Sequence, residues 1–346
     1  MLIFVGRRLA WAVVMMAVIT FITFVIFIVI PAPTLPAYQR TIDPSLRVQF
    51  NLNGRSLPGA YAHYMNRVVF HGDLGYSFRE NDTVRNVLAE ALPVTASVVG
   101  GGVMVWLLLA FPIGILSALR PRSLLDKGFM VFVLIGSSAH PVWVGLLLSY
   151  FLGYKLHLFP INGYCDFAPN AASGNCGGVG YWAWHLVLPW ISFGLLYAAL
   201  YARMIRANVL ESLNEDYVRT ARAKGAGTAR VVRRHVMQNA LLPVVSMLGM
   251  DLALAFGATF FVETIFSLPG IGQLLVRALR GSDRPTIMGI VLLVSLFVVI
   301  ANLLVDLAYA ALDPRIGLHQ KVVRRAPRLP LRPRVAPRPR SSSAVR

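Results

Sequence analysis

Few side chains in this 346-residue sequence combine a type and a setting that could support chemistry. Asp251, Glu263 and Asp306 are carboxylates inside otherwise apolar stretches. An ionisable group at membrane depth marks a solute pathway or a buried partner. Asp251 stands midway along its stretch and is a candidate for lining a translocation pathway, the competing role being an inter-helix hydrogen bond. Glu263 is a second pathway candidate; like Asp306, it stands nearer a helix end, where water can reach it. Ser137, Ser138 and His140 form another group. On a helix, positions 137 and 140 share a face, the least an intramembrane hydrolase would require. Serine also lets membrane helices approach closely, and His140 precedes Pro141, where freed backbone groups need partners. His140 joins Asp251 and Glu263 as a pathway candidate.

Cys165 and Cys176 fall in one stretch rich in Gly, Asn and Ser. On an oxidising face such a pair is a disulfide candidate, and closing a loop of that size would contribute about 3 kcal/mol locally. The alternative is two free thiols. A metal site is not expected, because the loop lacks two further ligands at usable spacing. The sequence holds no GxxxxGK[ST] loop, no HExxH and no GxSxG elbow, so neither ATP binding by a Walker loop nor those hydrolytic chemistries is expected of it.

These residues sit in a very apolar chain, with 56% hydrophobic and 14% charged residues and a mean hydropathy of +0.62. Soluble chains carry about a quarter charged residues. Crossing about 30 Å of hydrocarbon takes about 20 apolar helical residues, and six stretches qualify. They run over 9–30, 93–119, 128–154, 185–201, 241–266 and 286–312. The first is longer than the apolar core of a secretory signal and is followed by further spans, so it reads as a permanent anchor.

The net charge of +18 suggests nucleic acid at first sight, but its distribution argues against that partner. Arg and Lys gather before the first span, after the second, between Arg203 and Arg234, and beyond Arg315. Short basic segments stay in the cytoplasm. The expectation is an all-α membrane protein of six transmembrane helices with both termini inside. It divides into an anchor helix (1–30), an extracytoplasmic segment (31–92) forming an outer lobe, a core of five helices (93–317) and a basic tail (318–346). Gly72-Asp73-Leu74-Gly75 and Asn53-Gly54 are turn signals within the outer segment. The tail, rich in Arg and Pro, reads as disordered, with basic residues able to touch anionic lipid.

The cytoplasmic stretch 206–240 is the most informative. Val209, Leu210, Leu213, Tyr217 and Ala221 recur at helical spacing among Glu211, Glu215, Asp216, Arg219, Arg222 and Lys224, the pattern of an amphipathic helix. Gly225-Ala226-Gly227 breaks it, and a second helix starts around Thr228, a candidate N-cap, and runs toward Pro243. Such an elbow can dock a soluble partner or lie among headgroups.

The run from Asp216 through Tyr217, Arg219, Ala221, Arg222 and Lys224 to Gly225 resembles the coupling loop of ABC importer permeases of the dipeptide and oligopeptide (peptide/nickel) class, the B-type subunit. The resemblance continues through Gly72-Asp73-Leu74-Gly75-Tyr76-Ser77, Leu92-Pro93-Val94-Thr95, His185-Leu186-Val187-Leu188-Pro189, Val262-Glu263-Thr264-Ile265-Phe266, Pro269-Gly270-Ile271-Gly272 and Leu312-Asp313-Pro314-Arg315. It covers residues 1 to about 317. It implies a type I importer bundle in the bacterial inner membrane, paired with a second homologous permease, two cytoplasmic ATPases and an extracytoplasmic solute-binding protein. Peptides are the implied cargo, and systems for nickel, glutathione or haem resemble the same scaffold. ATP and Mg would be used by the ATPases, with no cofactor on this chain and no covalent catalysis. The resemblance assigns Asp216, Tyr217, Arg219, Ala221, Arg222, Lys224, Gly225 and Gly227 to ATPase coupling. Where the broader importer pattern has Glu-Ala-Ala, this chain has Arg219-Thr220-Ala221. Asp251 also departs from the pattern, and a stand-alone ion-coupled carrier using that carboxylate is the rival reading.

Overall fold

A computed structural model of the chain describes residues 2–29, 56–168 and 176–312. Asn53-Gly54, the tail 318–346 and the side chain of Asp306 lie outside what is described. Helix α1 (Leu2–Phe24) runs into a π-helical turn, Val25–Val29. Helix α2 (Leu57–His71) is followed by a two-residue hairpin, β1 (Tyr76–Ser77) against β2 (Asp82–Thr83). Then come α3 (Val84–Leu119), α4 (Leu124–Ser138), α5 (Pro141–Leu148) with its π-helical extension Ser149–Lys155, and α6 (Val179–Leu213). Helices α7 (Asp216–Ala223) and α8 (Thr228–Val231) lead through a π-helical turn into α9 (Met237–Ile265). Helices α10 (Ile271–Arg280) and α11 (Arg284–Leu312) complete the described chain.

Among the described residues, four helices are long and apolar enough to cross a membrane, or up to six elements if each bent pair counts as one span. The third expected span, over 128–154, is not one helix: α4 and the segment Pro141–Lys155 meet at 104°. The cause is local. Pro141 supplies no N–H and pushes the preceding residue out of the helical region. His140 accordingly lies at φ −66°, ψ 137°, and its Nδ1 accepts the Val142 N–H at 3.3 Å, capping α5. The fifth span is also bent, by 52° between Pro243–Leu252 and Leu254–Ile265.

Helix starts carry the caps their sequences supply. Thr83 Oγ1 accepts the Asn86 N–H and Ser123 Oγ the Asp126 N–H. Helices α3 and α6 pack along much of their length. Their backbones come close where a Cβ on Gly194 would stand 2.9 Å from the Gly102 carbonyl oxygen, the small-residue contact that drives helix association in lipid. Nearby, Trp106 is fully buried, stacked on Tyr197 and edge-on to Tyr201.

The outer segment does not form a lobe apart from the bundle where it is described. Helix α2 lies against α1 and α11 through Phe24, Ala60, Tyr64, Met288 and Leu292, and Tyr61 Oη meets Thr20 Oγ1 at 2.7 Å. The hairpin is tied down as well: Ser77 Oγ donates to Asp283, whose carboxylate also accepts the Thr286 hydroxyl at 2.7 Å. The apolar residues of α2 therefore extend the core rather than closing one of their own.

Candidate functional site

The elbow at the end of the bundle begins about two turns later than its periodicity suggests. Val209, Leu210 and Leu213 belong to the end of α6, which stops at Asn214. Helix α7 is a separate piece starting at Asp216. Its anchor is Val218, fully buried with Val209, Val231 and Val236 in one cluster, with Ala221 packed at the edge. Val218 was not singled out in the sequence; it is the apolar position between Tyr217 and Arg219, and apolar spacing points to it once α7 is separated from α6. Tyr217 is half-exposed and its hydroxyl accepts the Asn239 side-chain N–H at 3.0 Å, tying α7 to α9. Asp216, Arg219, Arg222, Lys224, Gly225 and Gly227 are all exposed. Gly225 takes φ +79°, a left-handed conformation that glycine adopts without strain. The second helix starts at Thr228, with Gly227 and not Thr228 in the cap position.

Above the elbow, a buried carboxylate that sequence reading passed over joins three helices. Asp126 on α4 accepts Arg206 Nε at 2.9 Å and Nη2 at 3.0 Å from α6, the Arg122 N–H at 2.9 Å, and the Ser117 hydroxyl from α3. Arg206 Nε also reaches Ser117 Oγ at 2.9 Å. A buried pair is tolerated when its remaining hydrogen-bonding capacity is filled, as it is here. The partners are 80 residues apart in sequence, so no local pattern announces them.

The pathway candidates separate into different roles. Asp251 accepts the Tyr201 hydroxyl at 2.6 Å and is partly exposed. Glu263 is not reached by water: it is fully buried. Its carboxylate accepts the Thr95 hydroxyl at 2.7 Å, the Gly272 N–H at 2.7 Å and the Gln273 N–H at 3.2 Å. Thr95 Oγ1 in turn accepts the Ile271 N–H at 2.8 Å. Glu263 thus neutralises the free N–H groups that begin α10. His140 is exposed, its ring edge-on to Phe261. The hydrolase geometry is absent: Ser137 and Ser138 both donate to the Leu134 carbonyl, and the helix ends before His140.

Cys165 and Cys176 are joined, with Cα atoms 5.2 Å apart. His185 of α6 comes within 3.3 Å of Cys165 Sγ, a third potential ligand from outside the loop. Sulfurs joined to each other are not thiolate ligands, and the His185 Nδ1 lies 2.9 Å from the Tyr181 carbonyl.

The described residues thus form a bundle of helices of membrane-spanning length with a short charged helix at one end, and the carboxylates of Asp126 and Glu263 are committed to holding it together. Residues 110–318 match the family described as binding-protein-dependent transport system inner membrane component, and residues 1–99 match the corresponding N-terminal family. The chain belongs to this family: it is a multi-pass inner-membrane component of an ABC transport system, and ATP hydrolysis is the work of partner subunits. A protein assigned as a peptide permease in Brucella suis biovar 1 (strain 1330) is 36% identical over 90% of this chain and 97% of its own. The dipeptide transport system permease protein of Escherichia coli K12 is 33% identical over 93% of this chain and all of its own. A protein assigned as a peptide ABC transporter permease in Sinorhizobium fredii is 31% identical over 91% and 99%.

Proposed function

We propose that this chain is one half of the pore of an ATP-driven importer of di- or oligopeptides. The observation that carries the coupling role is the elbow: α7 hangs from the bundle by Val218 alone among its buried residues, while its charged residues face outward. The names of the similar proteins support peptide as the cargo. In this reading six spans place both termini in the cytoplasm, with the two bent pairs each crossing once. The extracytoplasmic segment is 31–92, and the basic tail 318–346 belongs to the cytoplasmic side.

Two ATPases binding ATP and Mg close on each other and push α7. Val218 passes the displacement to the ends of α6 and α8, and the pore turns from inward-facing to outward-facing to accept peptide from the solute-binding protein. Tyr217, Ala221 and Gly225 set the docking geometry, Asp216 and Gly227 mark its two ends, and Arg219, Arg222 and Lys224 form the charged rim. The test is to purify the tagged chain from membranes in mild detergent. Recovery of two ATPase copies, a second permease and a binding protein, with ATP hydrolysis stimulated by peptide, is the expected result. A chain that purified alone and moved solute by itself would overturn it.

A further inference from the structure

We infer that Asp251 receives an ammonium group of the transported solute, acting as a cation subsite in the translocation pathway. This rests on the peptide-importer reading and names the chemistry that the pathway recognises. Asp251 stands next to the 52° bend of α9. One oxygen accepts the Tyr201 hydroxyl at 2.6 Å; the other accepts nothing among the described residues. No basic side chain pairs with this carboxylate among them either. That sets it apart from Asp126 and Glu263, whose carboxylates are enclosed by donors.

The face beside it is uncovered. Met250 is 58% exposed and Leu254 62%, and a Cβ on Gly257 would meet nothing within 4 Å. A carboxylate held on such a face cannot look into hydrocarbon without a large penalty, so this side of α9 borders a polar passage. The aromatic surround is fixed. Tyr201 is 1% exposed and held edge-on by the fully buried Trp106, so its hydroxyl keeps the carboxylate in place. One helical turn earlier on α6, Tyr197 is stacked on the same indole and only half-buried. A partly exposed carboxylate held by one oxygen, with the other accepting nothing among the described residues, offers an alkylammonium ion a charge-assisted hydrogen bond. Peptides offer that ion in two forms, the α-ammonium and the side chain of a basic residue.

The experiment uses the assembled importer with its binding protein in proteoliposomes and compares wild type with Asp251→Asn. The probes are alanyl-alanine, which carries only the α-ammonium, lactyl-lysine, which carries only the side-chain ammonium, and lactyl-alanine, which carries neither. The expected result is about a tenfold loss of uptake for one or both ammonium-bearing probes and a smaller change for lactyl-alanine. Loss confined to alanyl-alanine identifies the α-ammonium as the group bound, and loss confined to lactyl-lysine the side chain. Equal loss for all three probes, or none, overturns the inference and leaves the peptide reading intact. A wild-type assembly that moves neither these probes nor the same probes extended by alanines to three to five residues overturns the peptide reading itself. If Asp251→Asn does not assemble, Asp251→Ser, which also removes the charge, gives the same comparison, and uptake of all probes at the wild-type level is again the overturning result.

Discussion

The Glu263 carboxylate and the Thr95 hydroxyl, from α9 and α3, lie 2.7 Å apart where solvent reaches neither side chain. Together they satisfy the first N–H groups of α10. Removing the carboxylate leaves those donors buried without acceptors, which costs about 2–4 kcal/mol. Glu263→Ala is therefore expected to lower the thermal unfolding temperature in detergent. Gly270→Ala should do the same, because its new carbon would stand 2.5 Å from the Glu263 carboxyl group. Gly257→Ala, which meets nothing within 4 Å, should unfold near the wild-type temperature. A stable Gly270→Ala protein would remove the packing argument.

Asp126 and Arg206 hold α4 to α6 with side chains 7% and 25% exposed. Arg206→Met strands a buried carboxylate and should cost about 3–5 kcal/mol. The pair Asp126→Leu with Arg206→Met should recover most of that stability, since no charge is left unpaired. Unfolding of the single and double variants in detergent reads the coupling, and additive losses would show that the two residues act separately.

At Gly225 the backbone lies at φ +79°. Asn enters that region readily and β-branched residues do not. Gly225→Asn should keep peptide uptake near wild type, whereas Gly225→Val should lower it severalfold while the chain still inserts and reaches the membrane. Equal uptake by a fully assembled Gly225→Val importer would separate the elbow from energy transfer.

Asp73, after α2, carries a carboxyl that burial pushes up, but the Arg67 hydrogen bond, the Gly75 N–H and the nearby charges of Arg67 and His71 outweigh burial and hold it below its ordinary value. A depressed folded pKa means that the contribution is present above the unfolded pKa of about 3.9 and is lost as pH falls through the folded value. Amide exchange at Gly75, whose N–H donates to Asp73 at 2.9 Å, should be flat above pH 5 after correction for intrinsic rates and rise in more acidic buffer. Asp73→Asn should show the faster rate throughout. Protection that increased on acidification would reverse the sign of the argument.

The apolar runs were legible because a span is a matter of length and composition, and the elbow because Gly225 and Gly227 interrupt a charged helical pattern. What escaped the sequence depends on partners far along the chain. Asp126 looked like an ordinary residue of a basic loop until Arg206 was placed against it. Glu263 looked like a wet helix-end carboxylate because nothing local says that α10 starts beneath it or that Thr95 arrives from the second span. The break at His140 could have been read from Pro141 alone, since the residue before proline avoids the helical region. His185 escaped because a search for ligands inside the cysteine loop does not look into the following helix.

Helix α6 continues from Arg206 to Leu213 before it ends, and at 1.5 Å per residue that is about 10 Å of stalk. A distance of that size is about one Debye length at physiological salt. If Arg206 marks the inner end of the bundle, as the proposed orientation has it, the stalk works as a stand-off. It sets α7, with Arg219, Arg222 and Lys224 on its exposed side, away from the anionic headgroups and weakens their attraction, leaving more of that charge for a protein surface. Association with the ATPases would then vary little with the anionic lipid content of the bilayer. Trimming one turn from the stalk would bring the rim within reach of the lipid and set the two surfaces in competition for it.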